Sequence, residues 1–324
     1  MNYIRPDLLT PEFRKLSARL GSDRLQVQGP GGNTSIKGSD VMWIKASGTE
    51  LANALTQDIF VAVDRRAATK EARKEAGDGS CQATVIDPSV KLRPSIETTF
   101  HAALDHAVVA HTHSIATIAH VISPEGREAA KKKLAGLPFV LVPYAKPGLP
   151  LTQEILARVT PATQVILLQN HGLICVGATV AEVSYLLEEV EQRLALKPAV
   201  QNYKLPPEIA EEGFEWAGEG WIAQKIKASK RAIGGSYYPD HTVFLGPALP
   251  TKKTENWPAF LQAGTGIMLR NEASTSQRAM LRCLSDVLSR VPENWQIDPI
   301  GPAAEAELLN WDAEKYRQAM DARA

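Results

Sequence analysis

The residues best suited to chemistry are two histidines one residue apart, His111-Thr112-His113. They end the apolar run Val108-Val109-Ala110, which predicts a strand, and the two-residue period of a strand puts both imidazoles on one face. Two imidazoles at a strand end can share a metal ion at about 2.0–2.1 Å. A metal site needs at least one more protein ligand. The best candidate is His171 in Gln169-Asn170-His171-Gly172, which follows another β-run, with Gly172 free to form a bulge or tight turn. Three imidazoles suit Zn²⁺ and leave one position open for water or substrate. Taken alone, a His-x-His pair is also compatible with polar residues at loop ends. His106 and His120 read as structural or surface residues.

Pro94-Ser95-Ile96-Glu97 stands one helical turn before His101, so a helix there puts Glu97 and His101 on one face. Ser95 as N-cap would set Glu97 in the first turn, beside open backbone N–H groups. A carboxylate there can bind a metal or carry a proton, although glutamate is favourable in a first turn for structural reasons alone. His101 reads as a packing or supporting residue. Gly31-Gly32-Asn33-Thr34-Ser35 and Ala46-Ser47-Gly48-Thr49 are small-residue turns whose backbone N–H groups and hydroxyls could hold an anion such as phosphate. Their spacing matches neither the P-loop nor the dinucleotide-binding glycine pattern. Lys131-Lys132-Lys133 reads as a solvated helix face.

The elements that must position these residues follow from periodicity. Thr10-Pro11-Glu12 reads as a helix start, and Phe13, Leu16 and Leu20 as its buried stripe. Strands are expected at 41–46, 59–63, 108–113, 139–144, 164–168 and 172–177, and helices at 95–104, 115–122, 151–159 and 180–196. Residues 65–79, charged and rich in small side chains, read as an exposed excursion. Mixed strands and helices to about residue 200 describe an α/β sandwich. Beyond it the chain is punctuated by Trp, Gly and Pro, with a clear helix only at 276–290. Residues 201–324 therefore read as a C-terminal extension or small second domain after a first domain of 1–200.

Of 324 residues, 44% are hydrophobic and 22% charged, enough for a sizeable core. Thirty-six basic and 36 acidic residues cancel, so no net field recruits nucleic acid or an anionic membrane. Cys81, Cys175 and Cys283 are scattered and odd in number, which fits a reducing cytoplasm better than a disulfide framework. The opening stretch Met1 to Asp7 lacks the apolar run of a secretory signal, and no window reaches the ~20 apolar residues of a membrane span.

In order along the chain, Gly32-Asn33-Thr34-Ser35, Ser47-Gly48, Ser95-Ile96-Glu97, His111-Thr112-His113 and Asn170-His171-Gly172 together resemble the class II aldolase/adducin family over roughly residues 8–200. Val142-Pro143-Tyr144, Pro147-Gly148 and the long helix after His171 resemble family segments too. The resemblance implies a three-layer α/β/α sandwich around a mixed, mostly antiparallel sheet, assembled as a homotetramer with active sites at subunit interfaces. It implies His111, His113 and His171 as ligands of Zn²⁺, or of Mn²⁺ or Co²⁺, with Glu97 as acid/base. Gly32, Asn33, Ser47, Gly48 and Ser95 would hold a substrate phosphate.

The activity so implied is a divalent-metal-dependent lyase. It would cleave a ketose or ketose phosphate by a retro-aldol reaction through a metal-stabilised enediolate. Sugar-phosphate 4-epimerase and ketoacid-phosphate decarboxylase are alternatives on the same site. A non-catalytic adducin-like interaction module is the alternative of another class, and retention of the histidines and Glu97 speaks against it. A metal-dependent hydrolase using His-x-His lacks a further ligand set at short spacing. Two departures from the family pattern stand out. Ile96 occupies the place of a second serine, removing a phosphate donor. The chain also continues past the basic domain, as in the aldolase portion of aldolase/short-chain dehydrogenase fusion proteins, and no dehydrogenase segment follows within these residues.

Overall fold

The computed structural model describes residues 4–200 and 203–321. Residues 1–3 of the opening stretch and residues 201–202, beside the expected boundary, lie outside the described part. The chain divides into two compact units, Met1–Ser114 with Leu134–Arg193 and Ile115–Lys133 with Leu194–Ala324. The stretch 115–133 thus belongs with the later part of the chain, whereas the sequence reading carries the first domain unbroken to residue 200.

In the first unit, helix α1 (Pro11–Ser22) begins as expected, Thr10 Oγ1 accepting from Phe13 N at 3.2 Å with Pro11 in the first helical position. Strands β1 (Asn33–Lys37), β2 (Val41–Lys45) and β3 (Phe60–Asp64) follow as an antiparallel meander. Residues 65–79 are not simply an excursion. They form helix α2 (Arg65–Ala72), capped by Asp64 and buried through Ala68, Glu71 and Ala72. Its stripe is made of alanines, too small to register as hydrophobic periodicity.

Helix α3 (Thr98–Ala103) leads to β4 (Val108–Thr112). Helices α4 (Ile115–Val121) and α5 (Pro124–Lys133) belong to the second unit, and β5 (Phe139–Val142), α6 (Leu149–Leu156), β6 (Val165–Leu168), β7 (Gly172–Gly177) and α7 (Val180–Leu194) complete the sandwich. The sheet order is β3-β2-β1-β4-β7-β6-β5, antiparallel except for the β5–β6 pair. This is the mixed, mostly antiparallel sheet that the resemblance implies, with β4 at its centre.

Helices cover both faces of the sheet. On one, α3 and α6 pack Phe100, Leu151 and Ile155 against Val109, Ile166, Ile174 and Val176, and α2 packs Ala68 against Met42, Ile44 and Val61. On the other lies α1, whose Phe13 meets Phe60 at a 5.2 Å ring separation and whose Ser17 is hydrogen-bonded to Thr34 at 2.7 Å. Arg19 of α1 pairs with Glu188 of α7 at 2.6 Å on the same side. Alternation then assigns Asn33, Ser35, Val109 and His111 to the α3 face.

The second unit holds more structure than its sequence texture suggests. A three-stranded antiparallel sheet, β8 (Phe214–Trp216), β10 (Gly266–Arg270) and β9 (Ala259–Gln262), packs Phe214, Phe260 and Met268 together. Helices α8 (Ile226–Ala232), α9 (Pro239–Leu245), α11 (Pro302–Leu309) and α12 (Asp312–Asp321) accompany the long α10 (Thr275–Arg290). A Ser274/Gln277 capping box starts α10. Among the described residues no helix is long and apolar enough to cross a membrane.

Candidate metal and substrate site

Strand β4 ends at Thr112, so His111 is its last inward residue and His113 projects on the same side just past the ladder. His171 reaches them because β6 and β7 are joined by a short turn over residues 169–171, where Asn170 takes φ +53°, a left-handed conformation that asparagine tolerates. Gly172 is required for a different reason: a Cβ there would lie 2.3 Å from the Thr112 carbonyl oxygen of the neighbouring strand. The bulge or tight turn expected at this glycine is instead a close approach of two backbones.

One ring nitrogen from each of His111, His113 and His171 lies within 4.8 Å of the others, and all three residues are buried. Their ring centroids stand 4.9 to 5.3 Å apart. His111 Nδ1 sits 3.0 Å from the Leu173 carbonyl oxygen, which can only accept. That bond puts the proton on Nδ1 and leaves the Nε2 lone pair for the site.

Glu97 faces the triad. Its Oε2 is 3.4 Å from His111 Nε2 and its Oε1 3.6 Å from His171 Nε2. Oε1 is buried without a hydrogen-bond partner, whereas Oε2 accepts from Asn33 Nδ2 at 2.8 Å. Burial pushes the Glu97 carboxyl up, but His111, His171, the Asn33 hydrogen bond and His113 outweigh it and hold the group below its ordinary range. The sequence expectation for its place is corrected. Glu97 is the residue before α3, not part of its first turn, because Ser95 and Thr98 form a preceding turn. Ser95 Oγ accepts from Glu97 N at 3.2 Å, and Thr98 Oγ1 donates to Ser95 O at 2.6 Å.

The two small-residue turns converge on the same place. Ala46 bridges Pro94, and Ser47 N donates to Arg93 O at 2.8 Å, which sets Ser47 and Gly48 beside Ser95. Gly32 takes φ +59° with its missing side chain facing the His111 carbonyl, and Asn33 pairs with His111 across the β1–β4 ladder. Asn33 Nδ2 also reaches Ser95 Oγ at 3.2 Å. The proposed ligands, Glu97 and the anion-site residues thus lie on or next to neighbouring ends of β1, β2, β4 and β7.

Two further buried residues stand here: Lys45, which the sequence reading did not weigh, and His101, read there as packing or supporting. Lys45 Nζ donates to Pro30 O at 2.7 Å and Gly32 O at 3.0 Å, tying down the glycine turn with a positive charge. Its signal was a lysine in an inward position of an otherwise apolar strand. His101 is fully buried against β1, and burial, Lys37 and His111 hold it well below the usual imidazole range.

A family profile described as the class II aldolase and adducin N-terminal domain matches residues 12–197. The chain belongs to this family. Class II aldolase relatives agree at the level of sequence and fold. The uncharacterized oxidoreductase YuxG of Bacillus subtilis is 32% identical over 196 residues, 53% of this chain but only 28% of YuxG. The matched stretch is thus little more than a quarter of that relative. The L-fuculose phosphate aldolase of Methanocaldococcus jannaschii is 27% identical over 199 residues, covering 57% of this chain and 93% of that protein. Among solved structures, the N-terminal class II aldolase domain of a conserved protein from Thermoplasma acidophilum aligns with a TM-score of 0.51 and 27% identity, over 60% of this chain and 94% of that one.

Proposed function

We propose that the protein is a divalent-metal-dependent, class II aldolase-type lyase that cleaves a carbon–carbon bond of a ketose or ketose phosphate. The observation that carries this reading is the convergence of three buried imidazoles and a buried carboxylate on one strand-end site. The donor set fits a metal such as Zn²⁺, Mn²⁺ or Co²⁺: three imidazole ligands, a His111 ring oriented by the Leu173 carbonyl, and a Glu97 oxygen with no hydrogen bond of its own. His111, His113 and His171 would hold the ion, which supplies Lewis acidity to the carbonyl end of the substrate.

The chain's own groups supply the rest. Retro-aldol cleavage takes a proton from a hydroxyl as the carbon–carbon bond breaks and later returns a proton to carbon. Glu97 would carry it, a reading supported by its buried Oε1 beside the three imidazoles and a carboxyl held below its ordinary range. Gly32, Asn33, Ser47, Gly48 and Ser95 are the residues we assign to the substrate's anionic end, with Lys45 adding positive charge. The relative named as an L-fuculose phosphate aldolase supports ketose 1-phosphates as the first substrate class to try. A scaffold-only role leaves a buried carboxylate facing three imidazoles without purpose. We also assign the protein a homotetrameric state and a reducing, cytoplasmic setting, the latter consistent with its three free, buried thiols.

The test combines metal analysis with turnover. His111→Ala, His113→Ala and His171→Ala should each lose most bound metal. Metal-loaded parent protein should release dihydroxyacetone phosphate or dihydroxyacetone from ketose 1-phosphates or free ketoses. Glu97→Gln should keep its metal and lose about 10²–10⁴-fold in kcat. Full metal occupancy in all three histidine variants, or undiminished turnover by Glu97→Gln, would overturn the assignment.

A further inference from the structure

Behind the Glu97 carboxylate a chain of buried polar side chains runs back through β1 and α3. Glu97 Oε2 accepts from Asn33 Nδ2 at 2.8 Å, Asn33 Oδ1 is hydrogen-bonded to His101 Nε2, and His101 Nδ1 lies 2.7 Å from Ser35 Oγ. Elementary donor chemistry fixes the direction of every bond. Asn33 Nδ2 lies within reach of both Glu97 Oε2 and Ser95 Oγ, so the amide turns its NH₂ toward Glu97. That leaves the amide oxygen for His101, and an amide oxygen only accepts. His101 must therefore carry its proton on Nε2 and accept the Ser35 hydroxyl proton on Nδ1. Asn33 and Ser35 are two residues apart on one strand, so a single ring spans both. The ring is held by Phe100, stacked on it at 4.5 Å, and by Lys37 Nζ, which donates to the His101 carbonyl at 2.5 Å.

We propose that His101 is a positioning residue for Glu97. Acting through Asn33, it anchors Oε2 so that Oε1 is the oxygen presented to the substrate. This rests on the reading of Glu97 as proton carrier. It also changes the role of Asn33. One amide proton goes to Glu97 and the other to Ser95, and the amide oxygen goes to His101, so no donor remains for a substrate anion. The Asn33 side chain orients the base, and the anion is left to Ser47, Gly48, Ser95 and the backbone of the glycine turn. A packing role alone would be met by any apolar side chain of similar shape; the hydrogen-bonded chain requires a donor at the place of Nε2.

The experiment uses zinc-loaded full-length protein and follows exchange of the acidic C–H protons of dihydroxyacetone phosphate and dihydroxyacetone in D₂O. His101→Leu should slow exchange about 10–100-fold, the penalty for a slightly misplaced group, with metal content and KM near those of the parent. His101→Gln, which returns an N–H close to the place of Nε2, should recover most of the loss. In a Glu97→Gln background, His101→Leu should add no further loss. Independently of activity, ¹⁵N-histidine NMR should give the Nε2–H tautomer for His101. An Nδ1–H tautomer, equal impairment in the Gln and Leu variants, or an additive loss on top of Glu97→Gln would overturn the positioning role. If Glu97→Gln exchanges like the parent, or the parent exchanges neither probe, the proton-carrier reading fails and the positioning role falls with it. Loss in Glu97→Gln without loss in His101→Leu overturns the positioning role alone.

Discussion

Replacing Gly172 by alanine probes the strand contact that brings His171 to the β4 histidines. The added Cβ would lie 2.3 Å from the Thr112 carbonyl oxygen, and Cβ contacts below 3.0 Å are essentially never seen, so the two strand ends must part by at least about 0.7 Å. Both sides of the clash are backbone, which leaves no flexible side chain to yield. The same Cβ stands 3.4 Å from His111 Cε1, so the displacement falls between two of the three proposed ligands. Metal sites hold their ligand distances to about 0.2 Å. The shift exceeds that tolerance, and Zn²⁺ affinity should fall by about 10–100-fold, as when a supporting contact is lost. Overpacking costs about 1–3 kcal/mol, offset by about 0.4–1 kcal/mol from the stiffer unfolded chain. The net cost of about 0–2.6 kcal/mol should lower Tm by up to roughly 10 °C, at 2–4 °C per kcal/mol for a unit of this size. Calorimetry of chelated protein reads the stability, and chelator competition reads the affinity. Gly218→Ala, with nothing within 4 Å of its Cβ and no positive φ, serves as control and should be neutral or slightly stabilising. A Gly172→Ala protein as stable and as metal-avid as the parent would refute the reasoning.

Acid should weaken the protein through two buried neutral histidines. Burial lowers His120 to about 4 and His241 to about 3. In the unfolded chain both titrate near the ordinary imidazole value of about 6.5, so between pH 6.5 and 4 the unfolded state binds more protons and stability falls with pH. At 1.36 kcal/mol per unit, each group removes about 2–3 kcal/mol by pH 4.5. Urea unfolding at pH 7 and 4.5 should therefore show a smaller acid loss in His241→Asn than in the parent, and identical losses would count against this account. At the anion pocket, Ser47→Ala should raise KM for a phosphorylated substrate more than it lowers kcat, because its contact exists in the ground state. Asn33→Ala should do the reverse, lowering kcat through a misplaced Glu97. Initial-rate kinetics on paired phosphorylated and free ketoses separates the two, and unchanged KM in Ser47→Ala would remove Ser47 from the pocket.

What the sequence determined by itself was local. Strand period two put His111 and His113 on one face, Thr10-Pro11 started α1, and the order of short motifs named the family and its mixed sheet. These signals survive without tertiary knowledge because each depends on neighbours within a few residues. Pairing between distant segments needed the fold. That His171 meets a histidine 60 positions earlier follows from the β4–β7 ladder and from a glycine approach that no periodicity announces. Glu97 left the first helical turn because Ser95 and Thr98 took up the preceding backbone groups. The stripe of α2 was hidden because alanine buries well but signals weakly. Whether His101 is packing or a supporting residue stayed open in the sequence for a related reason. A buried polar side chain gets its meaning from the partners that satisfy it, and those partners, Asn33 and Ser35, are brought to it only when β1 lies under α3.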